Sequence, residues 1–135
     1  GVIGMVGGWF GITNLSLQSI LGYIFAPVAV IIGVPMKEAV VAGSLIGQKI
    51  ILNEFVAFTS LSEIMSTLSA KTIAVVTFSL CGFANISSIA ILIGGIGGMA
   101  PSRKHDIARL GWKAVLGGTL ANLLSATIAG LLLTI

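Results

Sequence analysis

Charge is what this chain has least of. Only 8% of its 135 residues are Asp, Glu, Lys or Arg, against 56% hydrophobic, and its mean hydropathy is +1.13. A soluble domain carries about 25% charged residues, so a water-facing surface cannot be built from this composition. Cysteine is almost missing as well. Cys81 stands alone, which excludes a disulfide within the chain, and in "SLCGF" it reads as a buried small apolar residue. There is no Ser/His/Asp set, no Cys/His metal spacing and no carboxylate pair set for acid–base work, so an enzyme is not expected. The double glycines Gly7-Gly8, Gly94-Gly95 and Gly97-Gly98 lack the following basic residue of a phosphate loop and read as packing or kink positions.

What is present is long apolar sequence. Residues 1–36, 72–102 and 114–135 contain no Asp, Glu, Lys or Arg, and each exceeds the roughly 20 residues that carry a helix across hydrocarbon about 30 Å thick. The ~10-residue alternation of a membrane β-barrel is absent. The fold class is therefore all-α integral membrane. The opening "GVIGMVGGWFG" has no initiator Met and no basic n-region, so it does not read as a signal peptide. Residues 1–14 are expected to be the end of a transmembrane helix, and the chain a piece of a larger polypeptide. Residues 15–34, punctuated by Gly22, Pro27 and Gly33, read either as a crossing or as a helix lying at the interface with Tyr23 and Phe25 at headgroup level.

The few charges are concentrated. Arg103, Lys104, Arg109 and Lys113 outweigh Asp106 in "RKHDIARLGWK", and the remaining charges cancel, so the net +3 resides in one segment between apolar runs. Residues 101–113 are expected to form a cytoplasmic basic loop and the start of a helix, with His105 solvated and no nucleic acid as partner. The last transmembrane helix, 114–135, then ends outside. Along it Gly118, Asn122, Ala126 and Gly130 recur every fourth residue, a small face for close helix contact, with Asn122 an interhelical hydrogen-bonding group.

Two segments carry polar groups where hydrocarbon is expected. In "GQKIILNEFVAF" (47–58), Lys49, Asn53 and Glu54 occur within 26 residues, enough for one crossing and not two. A charge at the bilayer centre costs at least ~2.5 kcal/mol, and Lys49 and Glu54, five apart, do not share a helix face. The better solution is a re-entrant helical hairpin over 35–62 with its turn near 49–53, Asn53 capping the second arm and Glu54 facing an internal cavity. The segment 70–100 is too long for a simple span, and "CGFANISSIAI" puts Gly82, Asn85, Ser87 and Ser88 at mid-depth. It reads either as an ordinary helix or as a discontinuous transmembrane helix, with Ser69 as its N-cap. A hairpin tip and a broken helix meeting at mid-depth are what a transporter uses.

"GQKIILNEFVAF" resembles, position for position, the (G/A)-x-K-x-x-x-N-E-F-V-A-(Y/M/F) signature of the concentrative nucleoside transporter family, and "CGFANISSIAILIGG" with "MAPSRKHDIARLG" is similar to the family's next broken helix and basic loop. The resemblance covers essentially the whole chain and places it in the C-terminal part. It implies half of an inverted-repeat transport domain beside a trimeric scaffold, with residues 1–14 ending a scaffold helix. It implies nucleoside import by symport with Na⁺ or H⁺ in an elevator-type mechanism, a homotrimer in the lipid bilayer of a bacterial inner membrane, and no cofactor. The coupling ion would bind mainly outside this segment, in the remaining N-terminal part of the transporter. It also implies that Glu54, Asn85 and Ser88 contact ribose, that Phe83 lies near the sugar, and that Lys49 is a structural counter-charge near the tip. The alternatives are a broken-helix ion-coupled carrier for another polar solute and a non-transporting membrane structural subunit.

Overall fold

A computed structural model describes residues 16–134, and the expected helix over 1–14 lies outside them. Among the described residues every regular element is helical. Helix α1 runs Leu17–Ile31, α2 Ala39–Ile51, α3 Glu54–Ile64, α4 Ala70–Leu80, α5 Ile86–Met99 and α6 Lys104–Leu132, with 3₁₀ turns at Met36–Glu38, Met65–Thr67 and Pro101–Arg103.

The boundaries follow from local chemistry. Ser16, Asn53, Ser69 and Asn85 each hold extended backbone and turn a side-chain oxygen to the N–H three residues on, capping α1, α3, α4 and α5. Helix α1 ends at Gly33, whose φ of 102° lets Val34 N–H reach the Ala29 carbonyl at 3.0 Å, a left-handed close that favours glycine. Of the three residues that punctuate this stretch, Gly33 alone breaks it. Pro27 lies inside the helix, and Gly22 serves packing.

In the segment 101–113, where a basic loop and the start of a helix are expected, the loop is short and the helix begins at Lys104, with only the 3₁₀ turn Pro101–Arg103 before it. Asp106 sits in the first turn and draws both Arg103 (2.6 Å) and Arg109 (3.8 Å) to itself at helical spacing, so these charges stabilise the helix start. His105 is exposed on that helix. From Pro101 to Leu132 the chain is long and apolar enough to cross a membrane.

In lipid, an apolar side chain gains no hydrophobic transfer by facing protein rather than acyl tails, so helices are held by close packing and polar contacts. Two glycine seams provide the packing. At α1–α2, a Cβ on Gly43 would lie 2.6 Å from the Ala26 nitrogen, and one on Gly47 2.7 Å from Leu21 Cβ. Gly22 answers from α1, its own Cβ position 2.7 Å from the Val40 carbonyl. The second seam runs antiparallel, α6 against α4 and α5. Gly130 faces Val75, Gly118 faces Ala84 and Gly111 faces Ile89, with Cβ positions 2.7, 2.9 and 3.0 Å away. Leu45, Ile46, Leu61, Val75, Val76 and Leu80 fill the centre between α2, α3 and α4. Large apolar groups of α6 such as Leu116, Leu120 and Leu124 remain exposed.

One polar clasp joins the two halves outside the apolar helices. Glu38, just before α2, accepts from Ser69 Oγ at 2.8 Å and Ser69 N at 3.3 Å, at the start of α4. The hydroxyls of Thr72 and Ser69 hold this carboxyl below its ordinary range. A carboxyl whose pKa is lower in the folded state stabilises above the unfolded pKa, and the contribution disappears as pH falls through the folded one.

Gly43→Ala is expected to destabilise by about 1–3 kcal/mol through overpacking. Gly94→Ala, where a Cβ meets nothing within 4 Å, is expected to be neutral or stabilising by up to about 1 kcal/mol. Thermal unfolding in detergent compares them, and equal losses would contradict the seam. For the clasp, wild type and Glu38→Gln are expected to differ most at neutral pH and to converge as pH drops through the carboxylate range. A pH-independent gap would place the contribution elsewhere than in the carboxylate.

Candidate functional site

The turn between α2 and α3 and the gap between α4 and α5 face each other. The first is only Leu52 and Asn53, the second Cys81–Asn85. Both α3 and α5 begin there, so two helix N-termini with unpaired N–H groups point into one region, each capped by an asparagine: Asn53 Oδ1 accepts from Val56 N at 2.9 Å, and Asn85 Oδ1 from Ser88 N at 2.8 Å.

The same asparagine joins the two elements. Asn85, buried at 2% exposure, donates from Nδ2 to Glu54 Oε2 at 2.9 Å. Its amide orientation is fixed by its surroundings, with the oxygen facing the Ser88 N–H and the nitrogen facing a carboxylate. Glu54 is the first residue of α3, where a negative charge suits the helix dipole. Two serines surround the junction. Ser87 Oγ lies 3.0 Å from the Leu52 carbonyl and 2.7 Å from Asn85 Oδ1. Ser88 Oγ lies 2.7 Å from the Phe83 carbonyl and 2.8 Å from Asn85 Oδ1. Each hydroxyl has one proton and donates to one of its two acceptors at a time, so both can be redirected at little cost.

Of the four residues expected at a site, Glu54, Asn85 and Ser88 come together in one hydrogen-bonded cluster. Phe83 joins through its backbone carbonyl, while its ring is 78% exposed. Phe83 and Ser88 line an open groove of about 370 Å³ against α6 with Gly118 and Asn122, and Glu54 and Asn85 are not in its wall. Among the described residues Glu54 Oε1 receives no hydrogen bond, so the carboxylate retains acceptor capacity, and Asn85 has a second N–H to give. The arrangement can hold a polyhydroxylated solute by accepting on one side and donating on the other. Among the described residues no three His, Cys, Asp or Glu side chains converge.

Lys49 does not pair with Glu54. It lies in the last turn of α2, almost fully buried at 1% exposed, and turns toward α6; with the Asn122 amide oriented so that both its atoms find partners, Oδ1 accepts from Lys49 Nζ at 3.1 Å and Nδ2 donates to the Cys81 carbonyl at 3.2 Å. Cys81, expected buried, is exposed, because the helix unwinds where it stands. The sequence does not mark Ser87 as a ligand, nor Gln48, which is buried, donates to Ser44 within α2 (3.2 Å) and accepts from Ser60 of α3 (2.9 Å). The polar spacing Ser44–Gln48 at i, i+4 in an apolar helix was the available signal.

Comparison with known proteins bears on the family and the fold. Residues 1–130 match the family model described as Na⁺ dependent nucleoside transporter C-terminus. The chain is 59% identical over 131 residues to an uncharacterized transporter, YutK, of Bacillus subtilis, covering 97% of this chain and 32% of YutK. It is 52% identical over 123 residues to the nucleoside permease NupC of Helicobacter pylori, covering 87% of this chain and 29% of that protein. A structure of CNTnw in an inward-facing substrate-bound state superposes with a TM-score of 0.90 at 56% identity, covering 97% of this chain and 33% of CNTnw. The chain thus spans about a third of the length of these relatives. Matched over nearly all of its length by the family's C-terminal part, it belongs to the concentrative nucleoside transporter family of integral membrane proteins.

Proposed function

We propose that this chain supplies the ribose-binding half of a secondary active transporter that imports nucleosides by symport with Na⁺ or H⁺. The observation that carries the reading is the 2.9 Å hydrogen bond from Asn85 to Glu54, which joins the starts of α3 and α5. A sugar diol offers two hydroxyls, each able to donate and to accept. Glu54 takes the donated protons through its open oxygen, Asn85 and Ser88 supply the complementary groups, and the exposed Phe83 ring forms an apolar wall beside the sugar. Hydrogen bonds to a carboxylate are roughly twice as strong as neutral ones, and their strength grows as water is excluded.

In this reading α2 and α3 are the arms of a re-entrant hairpin, and α4 and α5 a discontinuous transmembrane helix. Neither α4, 11 residues, nor α5, 14 residues, reaches across ~30 Å of hydrocarbon at 1.5 Å per residue, whereas the two end to end do. Together they form half of an inverted-repeat transport domain that moves, elevator-fashion, against a homotrimeric scaffold. The basic segment 101–113 is cytoplasmic and the C-terminus outside, in a bacterial inner membrane. The coupling ion binds mainly outside this segment, in the N-terminal part.

The test is gradient-driven uridine uptake by the full-length polypeptide in proteoliposomes. Glu54→Gln keeps the shape and removes the charge, and is expected to lower uptake at least about tenfold with assembly intact, the loss of a hydrogen bond to a charged group. Wild-type uptake in the variant would remove Glu54 from the site. Uptake of another polar solute, uninhibited by uridine, would keep the carrier and replace the substrate.

A further inference from the structure

The most deeply buried charge in the described chain is not in the proposed sugar site. Lys49 is 1% exposed, forms no ion pair within 4 Å among the described residues, and meets a neutral amide instead. Asn122 accepts from its Nζ at 3.1 Å and donates to the Cys81 carbonyl at 3.2 Å. Cys81 closes α4, so this contact lies at the helix's C-terminal end, where free carbonyls and the negative pole of the dipole favour a cation. Gly82 makes the approach possible, because a Cβ there would run into the Asn122 amide.

The two ends of the break are therefore tied to the two sides of the hairpin turn. At one end Lys49 reaches Cys81 through Asn122. At the other Asn85 reaches Glu54 directly, with Ser87 on the Leu52 carbonyl between them. Residues 81–85 are irregular backbone and would shift readily if held at one end only. We propose that Lys49 and Asn122 form a latch that fixes the start of the break and thereby positions Asn85 and Glu54 for the sugar hydroxyls. Lys49 is then a positioning residue with no ligand contact of its own. This rests on the nucleoside reading above for the identity of the ligand, while the latch itself rests on the geometry alone.

The test uses the full-length transporter with Lys49→Met, Asn122→Leu and the double variant. Removing one partner leaves a buried group unpaired and can impair folding, whereas an apolar pair of similar size is tolerated, so the double variant keeps the experiment decisive. Two readouts are taken: the ratio of uridine to 2′,3′-dideoxyuridine affinity, and the rate at which a maleimide labels Cys81, located by peptide mass spectrometry. In the folded double variant the affinity ratio is expected to fall at least about tenfold, the value of one hydrogen bond to a charged group, with dideoxyuridine binding retained. Cys81 labelling is expected to change severalfold. An unchanged ratio, or an unchanged labelling rate, overturns the latch. Absence of nucleoside binding in wild type would instead defeat the functional reading, and the labelling rate would still decide the latch.

Discussion

The hydrogen bond between Asn85 and Glu54 is the contact on which the rest of the arrangement depends. Hydrocarbon offers no partner to an exposed backbone group or to a carboxylate, so in the proposed placement at mid-depth a hairpin turn and a helix break are each unfavourable alone. Together they satisfy one another. Asn85 caps its own helix with its oxygen and neutralises part of the Glu54 demand with its nitrogen. The two serines fill remaining acceptors and keep protons that can be redirected. A site built this way is held by the same groups that a ligand would use, which is how a polar solute can be recognised without a permanently water-filled cavity.

The glycine seams bring those groups to register. With no hydrophobic gain from helix association in lipid, α6 is located by where its glycines admit Val75, Ala84 and Ile89. That registry sets Asn122 beside Gly82 and hence beside the buried Lys49. The α1–α2 seam fixes the first arm of the hairpin in the same manner, and the Glu38–Ser69 clasp aligns its entrance with the start of α4.

Much of this was legible in the sequence where the cause is local. Ser69 and Asn53 announce helix starts through side chains that act within three residues. "CGFANISS" by itself admits both an ordinary helix and a break, and the structure unwinds it between Leu80 and Ile86. The resemblance implies Glu54, Asn85 and Ser88 as sugar contacts, and the structure places the three in one hydrogen-bonded cluster. Contacts between distant segments were not legible. The partner of Lys49 is on α6, and its neighbour in sequence, Glu54, is not the group it meets. The Gly43–Gly47 pair is an ordinary-looking spacing until Gly22 is found opposite it. The start of the last helix within the basic segment after Pro101 is local as well, since Arg103, Asp106 and Arg109 stand at helical spacing. The apolar character of Cys81 suggests burial, whereas the break that exposes it packs against Asn122 of α6, two helices on.

The central claim is that Glu54 and Asn85 act on the ligand as one hydrogen-bonded unit. Its most direct test is a double-mutant cycle on uridine affinity in the full-length transporter, with Glu54→Gln, Asn85→Ala and both together. The account predicts strong non-additivity, a coupling above about 0.5 kcal/mol, as expected for residues in one network. Effects that add within about 0.3–0.5 kcal/mol, the behaviour of independent sites, would contradict it.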